Sequence, residues 1–178
     1  MKLYVADLHF GHANVIKHDG RPYSNVDEMD EDLIKKWNSV VKDTDEVYII
    51  GDLTYRNGKP VSWYAKQLKG KKYLILGNHD KLDSDDRKYF EKISKSETIY
   101  DVLNGEKVKI VLHHFPMAEW DGFFRGSYHI YAHIHNNKNN TYMFMKTLDK
   151  ALNAGCMING YKPVTLVDLI KNNAEYNK

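Results

Sequence analysis

The chain contains 178 residues, of which 42% are hydrophobic, and its formal net charge is +2. This length predicts one domain over residues 1–178, since single domains commonly contain about 100–150 residues, and the near-neutral charge requires neither a nucleic acid nor a membrane as partner. The single cysteine, Cys156, excludes an intramolecular disulfide, and polar residues follow the N-terminus too soon for a secretory signal. No apolar stretch approaches the roughly 20 residues needed to cross a bilayer. These features indicate a cytoplasmic protein without a membrane anchor.

The first half of the chain alternates predicted strands with predicted helices. Apolar runs predict strands at 2–6, 46–50 and 72–76, and helical periodicity predicts helices at 26–41 and 61–68. Either Asn25 or Ser24 is suited to cap the first of these helices. The alternation favours parallel pairing of the strands, so the polar residues that follow them, Asp7, Asp52 and Asn78, are expected to meet at one edge of the sheet.

Short strands are predicted to dominate the second half of the chain. A charged segment at 81–95 is predicted to be helical, and strands are predicted at 98–103, 107–112, 127–132 and 142–145. Asn104-Gly105 and Asn139-Asn140 suit hairpin turns, which favours an antiparallel or mixed sheet. A last helix is predicted at 166–171, before a polar end that is expected to fray.

Five short segments carry metal-ligand side chains at predicted strand ends. They are Asp7-Leu8-His9, Gly51-Asp52, Gly77-Asn78-His79-Asp80, His113-His114 and His133-Ile134-His135. Carboxylate, amide and imidazole groups suit Mn, Fe, Zn, Ni or Co, whereas the lack of clustered thiolates argues against a zinc finger or an iron–sulfur centre. Each segment alone would more often be a turn, a helix cap or a hydrogen-bonded polar histidine. Their joint order along the chain favours a catalytic metal site.

That order resembles the calcineurin-like metallophosphoesterases, in particular a compact bacterial and phage branch. The motifs of the family run D-x-H, G-D, G-N-H-D/E, a lone H and G-H-x-H; here D-L-H, G-D, G-N-H-D, H-H-F-P and A-H-I-H occur between Tyr4 and His135. The resemblance implies an α/β fold, a two-sheet β-sandwich flanked by helices. It also implies two divalent metal ions, with Mn expected and Fe, Zn, Ni or Co as alternatives. Asp7, His9 and His135 would hold one ion, Asn78, His114 and His133 the other, and Asp52 would bridge both.

The resemblance assigns His79 a catalytic role and not that of a metal ligand. His114 is preferred to His113 as the ligand because Phe115-Pro116 follow it, as an aromatic-proline pair follows the histidine of the family. Tyr55 stands where the protein phosphatases of the family carry the aspartate that orients the catalytic histidine, so Asp80 or a backbone carbonyl is expected to do this here. Ala132 replaces the usual glycine of the last motif, which predicts a slightly different backbone path without loss of a ligand.

The implied reaction is hydrolysis of a phosphomonoester or phosphodiester by a hydroxide that bridges the two cations. A small, nucleotide-like phosphate ester is the expected substrate, and the cationic or titratable groups His12, Arg21 and Arg56 are candidate contacts to it. A nuclease acting on nucleic acid is the alternative, which the near-neutral charge disfavours. A metal-dependent docking module without activity is disfavoured because His79 is present although metal binding does not need it.

Overall fold

Two four-stranded sheets form the centre of the protein, in a computed structural model that describes residues 1–55 and 58–178. The first sheet consists of β1 (Lys2–Val5), β2 (Glu46–Ile49), β3 (Lys71–Ile75) and β4 (Lys92–Ser94), paired in parallel in that order. The second consists of β5 (Ser96–Leu103), β6 (Glu106–His113), β7 (Tyr128–Tyr131) and β8 (Ala151–Asn153). In this second sheet the β5–β6 pair is antiparallel, whereas the β6–β7 and β7–β8 pairs are parallel. This is the predicted α/β sandwich, with a mixed second sheet.

Within residues 1–55 and 58–178, five α-helices flank the sheets: α1 (Ala13–Asp19), α2 (Val26–Val40), α3 (Val61–Ala65), α4 (Asn140–Met145) and α5 (Leu166–Tyr176). Asn25 caps α2, since its side chain accepts a hydrogen bond from the backbone N–H of Glu28. No helix in the described part of the chain is long and apolar enough to cross a bilayer.

The alternation of side chains along β1 explains how the layers pack. Leu3 and Val5 belong to an apolar cluster with Leu33 and Trp37 of α2, whereas Tyr4 belongs to a second cluster that includes residues of the other sheet. Successive strand residues point to opposite faces, so one short strand contributes to both layers of core. β1 is therefore buried on both sides, as a continuous apolar run predicts.

The structure corrects two predicted elements. Residues 81–95 do not form a helix; they contain a single 3₁₀ turn, Arg87–Tyr89, and then the edge strand β4. Residues 142–145 form part of α4 instead of a strand, because the buried residues Tyr142 and Met145 are three positions apart, which is a helical spacing. Asn139 is thus the N-cap of α4, where its side chain accepts from the N–H of Tyr142, and not a hairpin residue.

Other differences concern elements that were too short or too polar to predict. The sequence does not predict α1 or β8, and α5 runs to Tyr176 where fraying is expected.

The hairpin turn at Asn104-Gly105 is confirmed, with φ angles of 52° and 85°. The strands at 2–6, 46–50 and 72–76 are confirmed to within a residue at each end.

The carboxyl ends of β1, β2 and β3 meet at one edge, and the chain stays paired beyond the strands. The backbone N–H groups of Asp7 and His9 donate to the carbonyls of Gly51 and Asp52, at 3.1 and 3.0 Å. The loop after β1 is consequently fixed to the loop after β2. This edge carries the candidate site.

Candidate metal centre

Side chains from all five predicted segments come together at the sheet edge. Ligand atoms of Asp7, His9, Asp52 and His135 all lie within 4.8 Å of one another, and so do those of Asp52, His114 and His133. We refer to Asp7, His9 and His135 as the Asp7 half-site and to Asn78, His114 and His133 as the Asn78 half-site. Asp52 belongs to both groups.

The Asp7 half-site is buried beneath the loops. Nε2 of His9 lies 3.1 Å from Nε2 of His135, and the latter lies 4.0 Å from Oδ1 of Asp7. Asp7 and His9 are buried, and His135 is largely covered. Three potential ligands thus face one small volume that is shielded from solvent.

The Asn78 half-site is more open. Oδ1 of Asn78 lies 3.1 Å from Nε2 of His114 and 3.0 Å from Nδ1 of His133. His114 is buried, whereas Asn78 and His133 are exposed. The side of Asn78 and His133 is therefore the more solvent-accessible side of the centre.

Asp52 stands between the two half-sites. Its Oδ2 lies 3.6 Å from Nε2 of His9 and 3.5 Å from Nε2 of His114. Its other oxygen, Oδ1, accepts a hydrogen bond of 2.9 Å from the backbone N–H of His79. One carboxylate oxygen is thus turned toward the centre while the other is held by the loop after β3.

The donor and acceptor pattern fits a cation. Nδ1 of His114 lies 2.9 Å from the carbonyl of Ile50, which can only accept, so the ring proton is on Nδ1 and Nε2 presents a lone pair to the oxygen of Asn78. Two acceptors that face each other at 3.1 Å repel unless a positive charge lies near them. Oδ2 of Asp7 and Nδ1 of His9 are buried without a hydrogen-bond partner among the described residues.

The pKa shifts indicate the same need for positive charge. Burial raises the pKa of Asp7 to about 7, and the neighbouring carboxylate of Asp52 adds to this although His135 opposes it. Burial lowers the pKa of His9 to about 2, so this ring is neutral and can donate its lone pair. For His135, burial lowers the pKa, but the hydrogen bond to Asp19 and the charge of Asp7 outweigh this and leave the pKa raised. A divalent cation would stabilise the ionised form of both carboxylates.

The backbone is strained at the candidate ligands. Among the described residues, seven that are not glycine have positive φ, and five of these are Asp7 (53°), His9 (52°), Asp52 (53°), His133 (71°) and His135 (52°). Such conformations cost on the order of 1–3 kcal/mol each and cluster at functional sites. The fold therefore stabilises an unfavourable backbone in order to present these side chains.

Two glycines allow the loops to approach one another. A Cβ on Gly77 would lie 2.2 Å from Oδ1 of Asp52, and a Cβ on Gly51, whose φ is +85°, would lie 2.3 Å from Nδ1 of His114. Either would displace a candidate ligand. The close approach of the loops is therefore the physical reason why glycine precedes Asp52 and Asn78.

Asp80 stabilises the loops rather than the ring of His79. Its Oδ2 accepts from the backbone N–H groups of Asp52 and Gly77, both at 2.8 Å, and its Oδ1 accepts from that of Leu53 at 2.9 Å. The His79 ring lies instead among other rings, with its centroid 5.3 Å from those of His9 and Tyr55. Of the two groups considered for orienting His79, Asp80 is thus occupied with three backbone donors.

The structure distinguishes His114 from His113. The His114 ring faces Asn78 and Asp52, whereas Nδ1 of His113 lies 2.9 Å from the carbonyl of Phe115, outside the cluster. Ala132 is buried between the sheets, and its N–H donates to the carbonyl of His114, so the alanine is accommodated beside this histidine.

The three candidate substrate contacts have different surroundings. His12 is partly exposed, stacks on Tyr55 with 3.7 Å between ring centroids, and lies 5.4 Å from the His9 ring, so it can contact a substrate. Arg21 does not fit this role, because its side chain is fully buried and its guanidinium donates to the carbonyls of Asp7 and Leu8 and to Asp19. Arg56 lies outside the described residues.

Asp19 is a residue of the site that the sequence analysis missed. Its Oδ1 lies 2.8 Å from Nδ1 of both His18 and His135, and its Oδ2 accepts from Arg21. Burial alone would raise the pKa of Asp19, but the hydrogen bonds from His135 and His18 hold it below its ordinary value. The available signal was an acid two residues before an arginine in a segment rich in histidine.

Known proteins resemble this chain in sequence and in fold. The family model of the calcineurin-like phosphoesterases matches residues 3–146. An uncharacterized protein of Methanocaldococcus jannaschii is 37% identical over 173 residues, which cover 96% of this chain and 90% of that protein. The gene 66 protein of Mycobacterium phage L5 is 32% identical over 130 residues, 64% of this chain and 62% of the phage protein. A crystal structure of a protein of unknown function from Aquifex aeolicus has the same fold, with a TM-score of 0.70 at 24% identity and coverage of 96% and 98% of the two chains.

Proposed function

This chain belongs to the calcineurin-like phosphoesterase family and is a metal-dependent phosphoester hydrolase, and we propose that it cleaves a small, nucleotide-like phosphate ester at a pair of divalent cations. The Asp7 half-site would hold one cation, the Asn78 half-site the other, and Asp52 would contact both. Manganese is the metal we propose, because the carboxylate and amide oxygens of the site suit it; the imidazole nitrogens suit Fe, Zn or Ni, which are the alternatives. The reaction would take place in the cytoplasm.

The observation that supports this proposal best is the position of Asp52. One of its oxygens lies 3.6 and 3.5 Å from ring nitrogens that belong to different half-sites. A carboxylate in this position suits contact with two ions, and the hydrogen bond from His79 to its other oxygen keeps it there. Two bound cations would supply positive charge that polarises the phosphoryl group and makes a water molecule more acidic.

His79 is the residue we assign to proton transfer. Its backbone N–H binds Asp52, and its ring lies beside the Asp7 half-site, 5.3 Å from the His9 ring. A ring N–H in this position can donate its proton to the leaving oxygen of the ester or a hydrogen bond to a phosphoryl oxygen. His12, which is stacked on Tyr55 next to it, is the proposed contact for the remainder of the substrate.

The rest of the chain favours a small substrate. Residues 147–178, which follow the part matched by the family model, include β8 and α5. Leu152 of β8 and Leu169 of α5 belong to the core between the sheets, and Asn173 binds the backbone of Asn153. This segment therefore supports the sheets instead of forming a separate substrate domain.

The test is turnover by protein that has been stripped of metal with a chelator. Added Mn²⁺ should restore hydrolysis of nitrophenyl phosphate esters, nucleotides or cyclic nucleotides, and Ca²⁺ should not, because calcium prefers an all-oxygen site. His113→Ala serves as a matched control that keeps activity, whereas His114→Ala loses it. Cleavage of long nucleic acid with a steep salt dependence, and none of small esters, would favour the nuclease alternative.

A further inference from the structure

A buried ion pair lies directly behind the Asp7 half-site. The side chains of Asp19 and Arg21 are both fully buried, and Oδ2 of Asp19 accepts from Nε and Nη2 of Arg21 at 3.1 and 2.9 Å. Such a pair is stabilising only when its geometry is good and its remaining hydrogen-bonding groups have partners. Apart from His18 and the sulfur atoms of Met29 and Met157, the partners of this pair belong to the candidate metal centre or to residues next to it.

Asp19 binds the last motif of the site. Its Oδ1 accepts from Nδ1 of His135 at 2.8 Å, and its backbone carbonyl accepts from Nδ2 of Asn136 at 3.1 Å. Because an ionised carboxylate can only accept, neutral His135 carries its proton on Nδ1 and presents the lone pair of Nε2 to the half-site. A carboxylate in this position also holds the plane of the ring.

Arg21 binds the first motif of the site. Nη2 donates to the carbonyl of Asp7 and Nη1 to the carbonyl of Leu8, each at 2.8 Å. Asp7 and His9 have left-handed backbone conformations, which persist only where the surroundings enforce them. The guanidinium therefore holds the strained loop that presents both of these ligands.

The Asn78 half-site is held by other groups. His114 is fixed by the carbonyl of Ile50, and Asn78 and His133 are exposed at the surface. Among the described residues, neither Asp19 nor Arg21 forms a hydrogen bond or an ion pair with these three ligands. The direct contacts of the ion pair are thus with one half-site alone, and the other half-site meets that one where the N–H of His133 donates to Oδ1 of Asp7 at 3.3 Å.

We propose that the Asp19–Arg21 ion pair is the positioning device of the Asp7 half-site, and that it sets the affinity of this half-site for a divalent cation without affecting the other. The inference rests on the proposed metal centre. Residues that orient a metal ligand typically change metal affinity about 10–100-fold when they are replaced. Asp19→Asn should therefore weaken one Mn²⁺ site of the protein by about 10–100-fold and leave the second within about twofold.

The experiment isolates each half-site by removing a ligand from the other. Mn²⁺ binding to chelator-treated protein is measured by titration calorimetry in a His133→Ala background, where the Asp7 half-site is intact, and in a His135→Ala background, where the Asn78 half-site is intact. Adding Asp19→Asn should weaken binding about 10–100-fold in the first background and less than about twofold in the second. Asp45→Asn is the matched control, since this buried carboxylate is likewise paired with a cation: it accepts from the N-terminal ammonium of Met1 and from the backbone N–H of Lys42, at the opposite end of β1. It should change the affinity of neither half-site.

Asp19→Asn leaves Arg21 as a buried charge without its partner, which can unfold the protein. The double variant Asp19→Asn/Arg21→Met removes both charges and is measured in parallel, with circular dichroism of the metal-free protein to establish that it is folded. Equal weakening in both backgrounds, or none in either, would overturn the positioning role while leaving the metal centre in place. Failure of the wild-type protein to bind Mn²⁺ would overturn the proposed function together with this inference.

Discussion

Replacing Asp52 by asparagine is expected to abolish turnover and at the same time to stabilise the metal-free protein. The amide oxygen of the variant can still accept the 2.9 Å hydrogen bond from the N–H of His79. The amide nitrogen then takes the position of Oδ2, 3.6 and 3.5 Å from Nε2 of His9 and His114. A nitrogen that carries two protons cannot bind a cation, and it donates to the ring nitrogens that should bind one.

The size of the effect follows from the shared position of Asp52. Loss of a group that merely orients a metal ligand weakens metal affinity about 10–100-fold, which is a lower bound for loss of a ligand. Asp52 would contact both cations, so the doubly loaded form should be weakened by about 10²–10⁴-fold, or about 3–6 kcal/mol at about 1.4 kcal/mol per tenfold change. His135→Ala affects one half-site and should retain more activity.

The stability change has the opposite sign because the carboxylate is buried. Burial raises the pKa of Asp52, although the N–H of His79 opposes this, so the ionised side chain destabilises the metal-free fold at neutral pH. Catalytic efficiency on an aryl phosphate ester, Mn²⁺ calorimetry and denaturant unfolding without metal measure the three quantities. Full turnover by Asp52→Asn, or a variant less stable than the wild type without metal, would refute the reasoning.

Three further outcomes are expected. Metal analysis should find that His114→Ala loses bound metal and that His113→Ala keeps it. The reverse result would mean that His113, and not His114, is the metal ligand. His79→Asn should keep both metals, and it should slow hydrolysis of an ester with an alkoxide leaving group by about 10²–10⁴-fold. Hydrolysis of a nitrophenyl ester should slow much less, since nitrophenolate departs without a proton. Equal slowing of both esters would indicate that His79 stabilises the phosphoryl oxygens, and no slowing of either would exclude His79 from the mechanism. Burial lowers the pKa of His129 from 6.5 to about 4, so unfolding titrations should show a loss of about 3 kcal/mol as the pH falls from about 6.5 to about 4, relative to a His129→Gln control; a pH dependence identical to that of the control would contradict this.

The His129 prediction depends on a hydrogen-bond pair that is purely structural. Nδ1 of His129 lies 3.0 Å from the carbonyl of Val111, and its Nε2 accepts from the N–H of Met117 at 3.2 Å. Protonation of Nε2 would place two donors against each other. The neutral ring is therefore favoured in the folded state, and the stability that it contributes is complete above the unfolded pKa and is lost below it.

The sequence by itself determined where the candidate centre lies. Asp7, Asp52 and Asn78 each follow a short apolar run, and the carboxyl ends of parallel strands meet at one edge for any sequence that pairs in this way. The same reasoning predicted β1, β2, β3 and α2, whose residues carry strong local periodicity. Where the local signal was weak, as at β4, β8 and α4, packing decided the conformation instead.

Only the tertiary structure decided what holds the centre together. Asp19 and His135 are separated by 116 positions, and Arg21 reaches back 14 positions to the carbonyl of Asp7. Sequence periodicity reports which face of an element is buried, but not which buried polar groups from distant segments become hydrogen-bond partners. That pairing depends on the packing of the sheets and loops in three dimensions, because a buried polar side chain must find its partner wherever the fold places one.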